Sequence, residues 1–224
     1  MAAGAGPKIA NRGLTFFLDA TNTKSAPASG TWIDLGRKNG SATAAGNPTI
    51  GTLGGVRCYV LDEVGDRFTM PTDTNNPNAG NATMEAWIYP AASELTGGDR
   101  GCIIQGHIYH SWNKSNQQLS NYWYSTDNQG YHEPGVTMAR EQWHHIVAVY
   151  NTDTNQLYQY VNGALVNTVN TSADSSYVGT LNIGHEGDGR QFAGGFAVIK
   201  MHNVALTSEE VIRNFNDTKR KYGR

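Results

Sequence analysis

Charge is scarce in this chain: 16% of its 224 residues are Asp, Glu, Lys or Arg, and the formal net charge is -2. A nucleic-acid-binding face is assembled from clustered Lys and Arg, so that class of partner is excluded. Cysteine is scarcer still. Cys58 and Cys102 are too few for a disulfide scaffold and lack the paired spacing of a structural zinc site; as small, weakly polar side chains they are expected in the interior. No segment approaches the ~18 consecutive apolar residues of a membrane span. The opening MAAGAGPKIANR has no apolar stretch of the kind that directs export, so the expectation is a protein made in a cytoplasm and kept off membranes. Charge blocks, Pro-rich linkers and fixed-period repeats are also missing, which leaves one domain over 13–224 preceded by a short arm at 1–12. The 26 glycines and 7 prolines stay below the roughly 25–30% that marks a low-complexity chain.

What the chain does contain is enough apolar material for a core, 38% hydrophobic and 10% aromatic, dealt out in short runs. Strand candidates fall at 14–18, 56–61, 83–89, 102–108, 120–125, 144–150, 157–161, 164–169, 181–184 and 195–201, separated by clusters of Gly, Asn, Asp, Ser and Thr. That rhythm belongs to all-β sandwiches and barrels, not to alternating strand–helix units. Asn162-Gly163, set between two such runs, tolerates the positive φ of a type I′ turn. With the turn-forming stretch 151–156 before it, the segment from His144 predicts a three-stranded antiparallel meander.

One helix is predicted, at the carboxyl end. Thr207 and Glu210 form a capping box, and Leu206 and Val211 are spaced as a hydrophobic staple. Val211, Ile212 and Phe215 are expected to share the buried face, with Lys219, Arg220 and Lys221 at the negative end of the macrodipole.

Laid out in order, several pieces resemble the laminin-G-like branch of the concanavalin A-like lectin/glucanase superfamily. They are Thr83-Met84-Glu85-Ala86-Trp87-Ile88-Tyr89, Trp143-His144-His145 with its following strand, and Tyr158-Gln159-Tyr160-Val161-Asn162-Gly163. Ile183-Gly184, Phe192-Ala193-Gly194 and Ala205-Leu206-Thr207-Ser208-Glu209-Glu210 complete the pattern. The resemblance implies an all-β jelly-roll sandwich of two antiparallel sheets with a short C-terminal helix. It also implies packing roles for His144 and His145. Where family members carry an acidic residue soon after the Phe-x-Gly, this chain has Phe196-Ala197. The opening from Gly13 to Ala20, continued by Thr31-Trp32-Ile33-Asp34-Leu35, is similar to that of laminin-G-like modules in structural proteins of tailed phages.

Chemistry is thin. Retaining glucan hydrolysis needs two carboxylates about 5–5.5 Å apart across the scissile bond. The nearest approach, Glu186-Gly187-Asp188-Gly189-Arg190-Gln191, ends in Gln and is broken by glycines, so it reads as a solvated turn. Glu186 and Asp188 supply hard oxygens for a rim calcium, the one metal expectation. His132-Glu133 lacks the second histidine of a zincin, and no nucleophile elbow or phosphate loop is present. The richest stretch is 107–132, where His110, Trp112, Asn113, Tyr122, Tyr124, Asp127 and His132 combine ring faces with amides and imidazoles suited to sugar stacking or a protein interface. Strand alternation requires part of Tyr122-Trp123-Tyr124 to face inward.

The first functional expectation is a non-catalytic structural or adhesion protein on a phage virion surface, as head decoration or tail or fibre component. Its partners would be other virion proteins or copies of itself, with no cofactor beyond the rim calcium. The second is a stand-alone carbohydrate-binding module for cell-surface glycans, and the third a glycoside hydrolase.

Overall fold

The computed structural model describes residues 10–36, 40–70, 80–92, 98–106, 108–123, 130–171, 180–186 and 189–224. Their strands, in chain order, are β1 (Leu14–Asp19), β2 (Thr31–Ile33), β3 (Ser41–Ala45), β4 (Thr49–Leu53), β5 (Val56–Asp62), β6 (Arg67–Thr69), β7 (Ala82–Pro90), β8 (Arg100–Gln105) and β9 (Ile108–Asn113). They continue with β10 (Gln118–Trp123), β11 (Gly130–His132), β12 (His144–Asn151), β13 (Gln156–Val161), β14 (Ala164–Asn170), β15 (Asn182–Ile183), β16 (His185–Glu186), β17 (Arg190–Gln191) and β18 (Ala193–His202). One sheet runs β14-β13-β12-β7-β18-β5-β4, with β1 pairing the second half of β18; the other runs β11-β10-β9-β8-β15-β6-β3-β2. Every pairing is antiparallel, and the two sheets form a jelly-roll sandwich.

The predicted meander is β12-β13-β14, and its tight turn has φ of 51° at Asn162 and 79° at Gly163, the left-handed values that Asn-Gly supplies. The run predicted as one strand at 102–108 is two. The chain reverses after Gln105, and Ile108 opens β9, whose mixed polarity hides it from a search for apolar runs.

Alternation explains both faces of the first sheet. Along β7, Met84, Ala86 and Ile88 enter the core between the sheets, opposite Ile146, Ala148, Ile199 and Met201. Thr83, Glu85 and Trp87 point the other way, yet β7 is buried along almost its whole length because something covers that face as well. The cover is the carboxyl end. Helix α1 (Ser208–Thr218) begins with the predicted capping box, Thr207 accepting from the Glu210 N–H and Glu210 from the Thr207 N–H. Leu206 and Val211 pack with Val147, Val149 and Tyr160. Ile212 departs from expectation: it is 43% exposed, because Val211 and Asn214 fill the inward stripe. Beyond the helix, Tyr222 stacks on Trp87 with ring centroids 3.8 Å apart.

Beneath this cover lies a buried ion network. Glu85 accepts from Lys200 Nζ at 2.6 Å and from Asn214 Nδ2 at 2.7 Å, and His145 Nε2 lies 3.2 Å from it. Asn214 in turn accepts the Ala10 N–H at 2.7 Å, while Arg12 pairs with Glu210, so the end of the amino-terminal arm is tied to the helix. Residues 1–9 of that arm lie outside the described residues. Cys58 and Cys102 are buried and unpaired with each other, Cys58 beside Trp143 and Tyr222.

Candidate functional site

Among the described residues no helix packs over the outer face of the second sheet. On β9 the even positions Ile108 and Trp112 enter the core, so Tyr109, Ser111 and Asn113 face outward. Register then sets Tyr122 opposite Tyr109, and Tyr131 opposite Tyr122, so three tyrosines form a row across β9, β10 and β11. The Tyr122 and Tyr131 rings meet edge to face at 4.9 Å, and Tyr109 reaches Tyr131 at 6.2 Å in the same manner. Burial raises the Tyr109 phenol far above its ordinary range, with Cys102 and Glu186 pushing the same way.

Two arginines clamp the row. Arg100, at the start of β8, lays its guanidinium 3.7 Å from the centroid of the Tyr131 ring. It pairs with Glu133 at 3.0 Å and with Asp99. Glu133 also accepts from Asn113 Nδ2 and Asn116 Nδ2, each at 2.6 Å. Desolvation would raise the Glu133 carboxyl, but these two amides and Arg100 outweigh it and hold the group below the usual carboxylate range. The second arginine comes from the ribbon β16-β17, which folds over β8. Arg190 Nη1 meets Glu186 Oε2 at 3.0 Å, while Gln105 Nε2 donates to Glu186 Oε1 at 3.3 Å. Tyr122, Tyr131, Glu186 and Arg190 line a cavity of about 230 Å³.

The residues singled out from sequence divide at this face. Tyr122 lines the cavity, and Asn113 supports it through Glu133. Trp112 and His110 do not belong to the surface: both are 0% exposed. Trp112 shares the inward parity of Ile108 and lies opposite the core residue Leu119. His110 faces the same way, its Nδ1 against the Asn121 amide, and burial lowers its pKa to about 3. His132 is the register partner of inward-facing Asn121, and its carbonyl accepts from Gln159 Nε2 at 2.9 Å. Tyr124, Asp127 and Asp188 lie outside the described residues. Glu186, read as part of a solvated turn, is instead a strand residue held half-buried. Arg100, Tyr131 and Glu133 were not anticipated as site residues. The one sequence signal for them is parity: Tyr109, Ser111 and Asn113 alternate with Ile108 and Trp112, which marks one outward face.

A second cleft, of about 210 Å³, lies beside the helix between Phe17, Trp87, Lys200 and Tyr222. Its lysine is already bonded to Glu85 and its indole N–H to Thr218, so it is a seam of helix packing. Among the described residues no group of three or more His, Cys, Asp or Glu is placed to hold a metal ion. Both oxygens of Glu186 already accept, from Arg190 and Gln105.

Residues 62–212 match the laminin-G family described as the concanavalin A-like lectin/glucanases superfamily. No curated protein sequence is significantly similar to the chain. Among solved structures it is similar to the binding domain of Paraclostridial mosquitocidal protein 1, with TM-score 0.70 at 15% identity, covering 91% of this chain and 52% of that one. It thus spans about half of that toxin structure. Domain 4 of an extracellular arabinanase from Geobacillus stearothermophilus, in complex with arabinotriose, gives 0.64 at 15% identity and covers 89% of this chain and 96% of that one. The ligand binding domain of botulinum neurotoxin serotype D, in complex with N-acetylneuraminic acid, gives 0.67 at 14% identity, covering 92% and 51%. Likeness at these identities speaks for the fold.

Proposed function

The chain belongs to the concanavalin A-like lectin/glucanases superfamily, and from that membership we propose that it is a non-catalytic, lectin-like adhesion module that binds a glycan on the outer face of its second sheet. The observation that carries this reading is the cavity between Tyr122, Tyr131, Glu186 and Arg190, where two ring walls adjoin a paired donor and acceptor. Sugars need that combination: an apolar surface for their C–H faces and oriented polar groups for their hydroxyls. At about 230 Å³ the cavity falls below the ~300–1,000 Å³ that encloses a drug-sized ligand, a size suited to the end of a glycan.

A hydrolase would need one carboxylic acid kept protonated near neutral pH. Glu133 is held in the opposite direction, and Glu186 is engaged by an arginine, which supports binding without catalysis. Glycan-array binding is expected for the unaltered protein, with a loss of at least tenfold on Tyr131→Ala or Tyr122→Ala at unchanged thermal melting. A blank array, with and without added calcium, would sink the proposal, and the calcium arm tests the rim site at Glu186.

The setting we propose for the module is a phage virion surface, made in the host cytoplasm and bound to other virion proteins or to copies of itself. Its support is the resemblance of 13–35 to tailed-phage structural proteins. Mass spectrometry of purified particles that fails to find the chain would remove it.

A further inference from the structure

We infer that the second-sheet cavity selects neutral over acidic sugars; this rests on the glycan-binding reading above. The argument is the charge around Tyr131. Among the described residues Arg100 and Arg190 are the cations against that ring, and each is already committed: Arg190 to Glu186 at 3.0 Å, Arg100 to Glu133 at 3.0 Å and to Asp99. Among the described residues three carboxylates therefore face two guanidinium groups, with no surplus positive charge in these ion pairs.

Recognition of a sialic or uronic acid relies on a free arginine fork that receives the carboxylate through two parallel N–H bonds. Here Arg190 commits Nη1 to Glu186, and Arg100 has its guanidinium plane against the Tyr131 ring with Nη1 and Nη2 on carboxylates. An acidic sugar reaching Arg190 would lie beside the Glu186 carboxylate that Arg190 already pairs, like charge against like in a half-buried place. A neutral sugar meets no such obstacle. Each hydroxyl is both donor and acceptor, so one hydroxyl can donate to Glu186 while a neighbour accepts from Arg190, with the ion pair intact. Tyr122 and Tyr131 supply ring surface to either class, so the Arg–Glu pair is what discriminates.

Matched probes test this directly: lactose against 3′-sialyllactose, and galactan oligosaccharides against oligogalacturonates, measured by array and by calorimetry at low and at physiological salt. The expected result is at least tenfold preference for the neutral member of the pair that binds, with little dependence on salt. Preference for the acidic member, weakening as salt rises, overturns the inference while leaving glycan binding in place. Binding of neither member, nor of any glycan on a broad array, overturns the reading it rests on and the inference with it. Glu186→Gln supplies a second readout. Freed from its carboxylate, Arg190 should raise binding of the acidic member at least tenfold, with melting unchanged; a neutral-to-acidic ratio that does not move in this variant also overturns the inference.

Discussion

The two outer faces of this sandwich are built from the same materials to opposite ends. Each carries aromatic rings beside an arginine or lysine paired with glutamate. On the first sheet Trp87 is covered by Tyr222 and Phe215, and Glu85 shares its oxygens among Lys200, His145 and Asn214 with essentially no exposure. On the second sheet Tyr109 is buried and two guanidinium groups lie against the Tyr131 ring, but Tyr122, Tyr131 and the ion pairs keep part of their surface in solvent. The difference teaches where each kind of energy is stored. Covered charges act through desolvation and bear on stability; half-exposed ones contribute little to folding and stay available to a ligand.

The sharpest way to break this contrast is to remove Glu85. Burial alone would raise its carboxyl, but Lys200 and His145 overcome that and hold it well below the usual range. Truncating one member of a buried pair leaves the other charge uncompensated, at a cost of about 3–5 kcal/mol. Glu85→Ala should therefore lose most of the cooperative melting transition and loosen α1 and the Ala10 contact together, read by hydrogen exchange. A variant that melts within a few degrees of the unaltered protein would show that the covered face is no stability centre.

Acid provides a second separation. Burial lowers His110 to about 3 and His144 to about 4, so the native state refuses protons that the unfolded chain accepts once the pH drops below ~6.5. Stability then falls as the pH falls from there, by about 2 kcal/mol at pH 5 for His110 alone. Glu133, whose folded carboxyl is depressed, contributes stability that is present above its unfolded value near ~4.3 and is lost only below it. Between pH 6.5 and 5 the interior histidines should thus act while Glu133 stays silent. Denaturant melts across that window should slope in the unaltered protein and slope less steeply in His110→Gln, where His144 still acts; a flat profile in the unaltered protein would remove the interior from the acid response.

Much of the covered face was legible in the sequence because its signals are local. The Thr207–Glu210 capping box, the Asn162-Gly163 turn and the alternation in Met84-Glu85-Ala86-Trp87 each act within a few residues. The open face was not, because its parts come from six strands. Tyr109, Tyr122 and Tyr131 meet only through the register of β9, β10 and β11, and Arg190 reaches them only because the β16-β17 ribbon folds over β8. Trp112 shows how composition misleads. Its ring suggests a sugar platform, but its parity with Ile108 and its place opposite Leu119 send it into the core.

The smallest expected effect is the most discriminating. The Arg190 and Glu186 side chains are 31% and 13% exposed, neither sealed from water as Glu85 and Lys200 are. Screening and the entropy of fixing two long side chains leave such pairs worth about 0.2–1 kcal/mol. A double-mutant cycle on Arg190→Ala and Glu186→Ala, read by chemical denaturation, should return a coupling in that range. The same cycle read by glycan binding should return a larger one, because a hydroxyl bridging the two groups depends on both. A folding coupling above about 2 kcal/mol would place this pair in the class of the buried network, and the division between a face built for stability and a face kept for a ligand would fall with it.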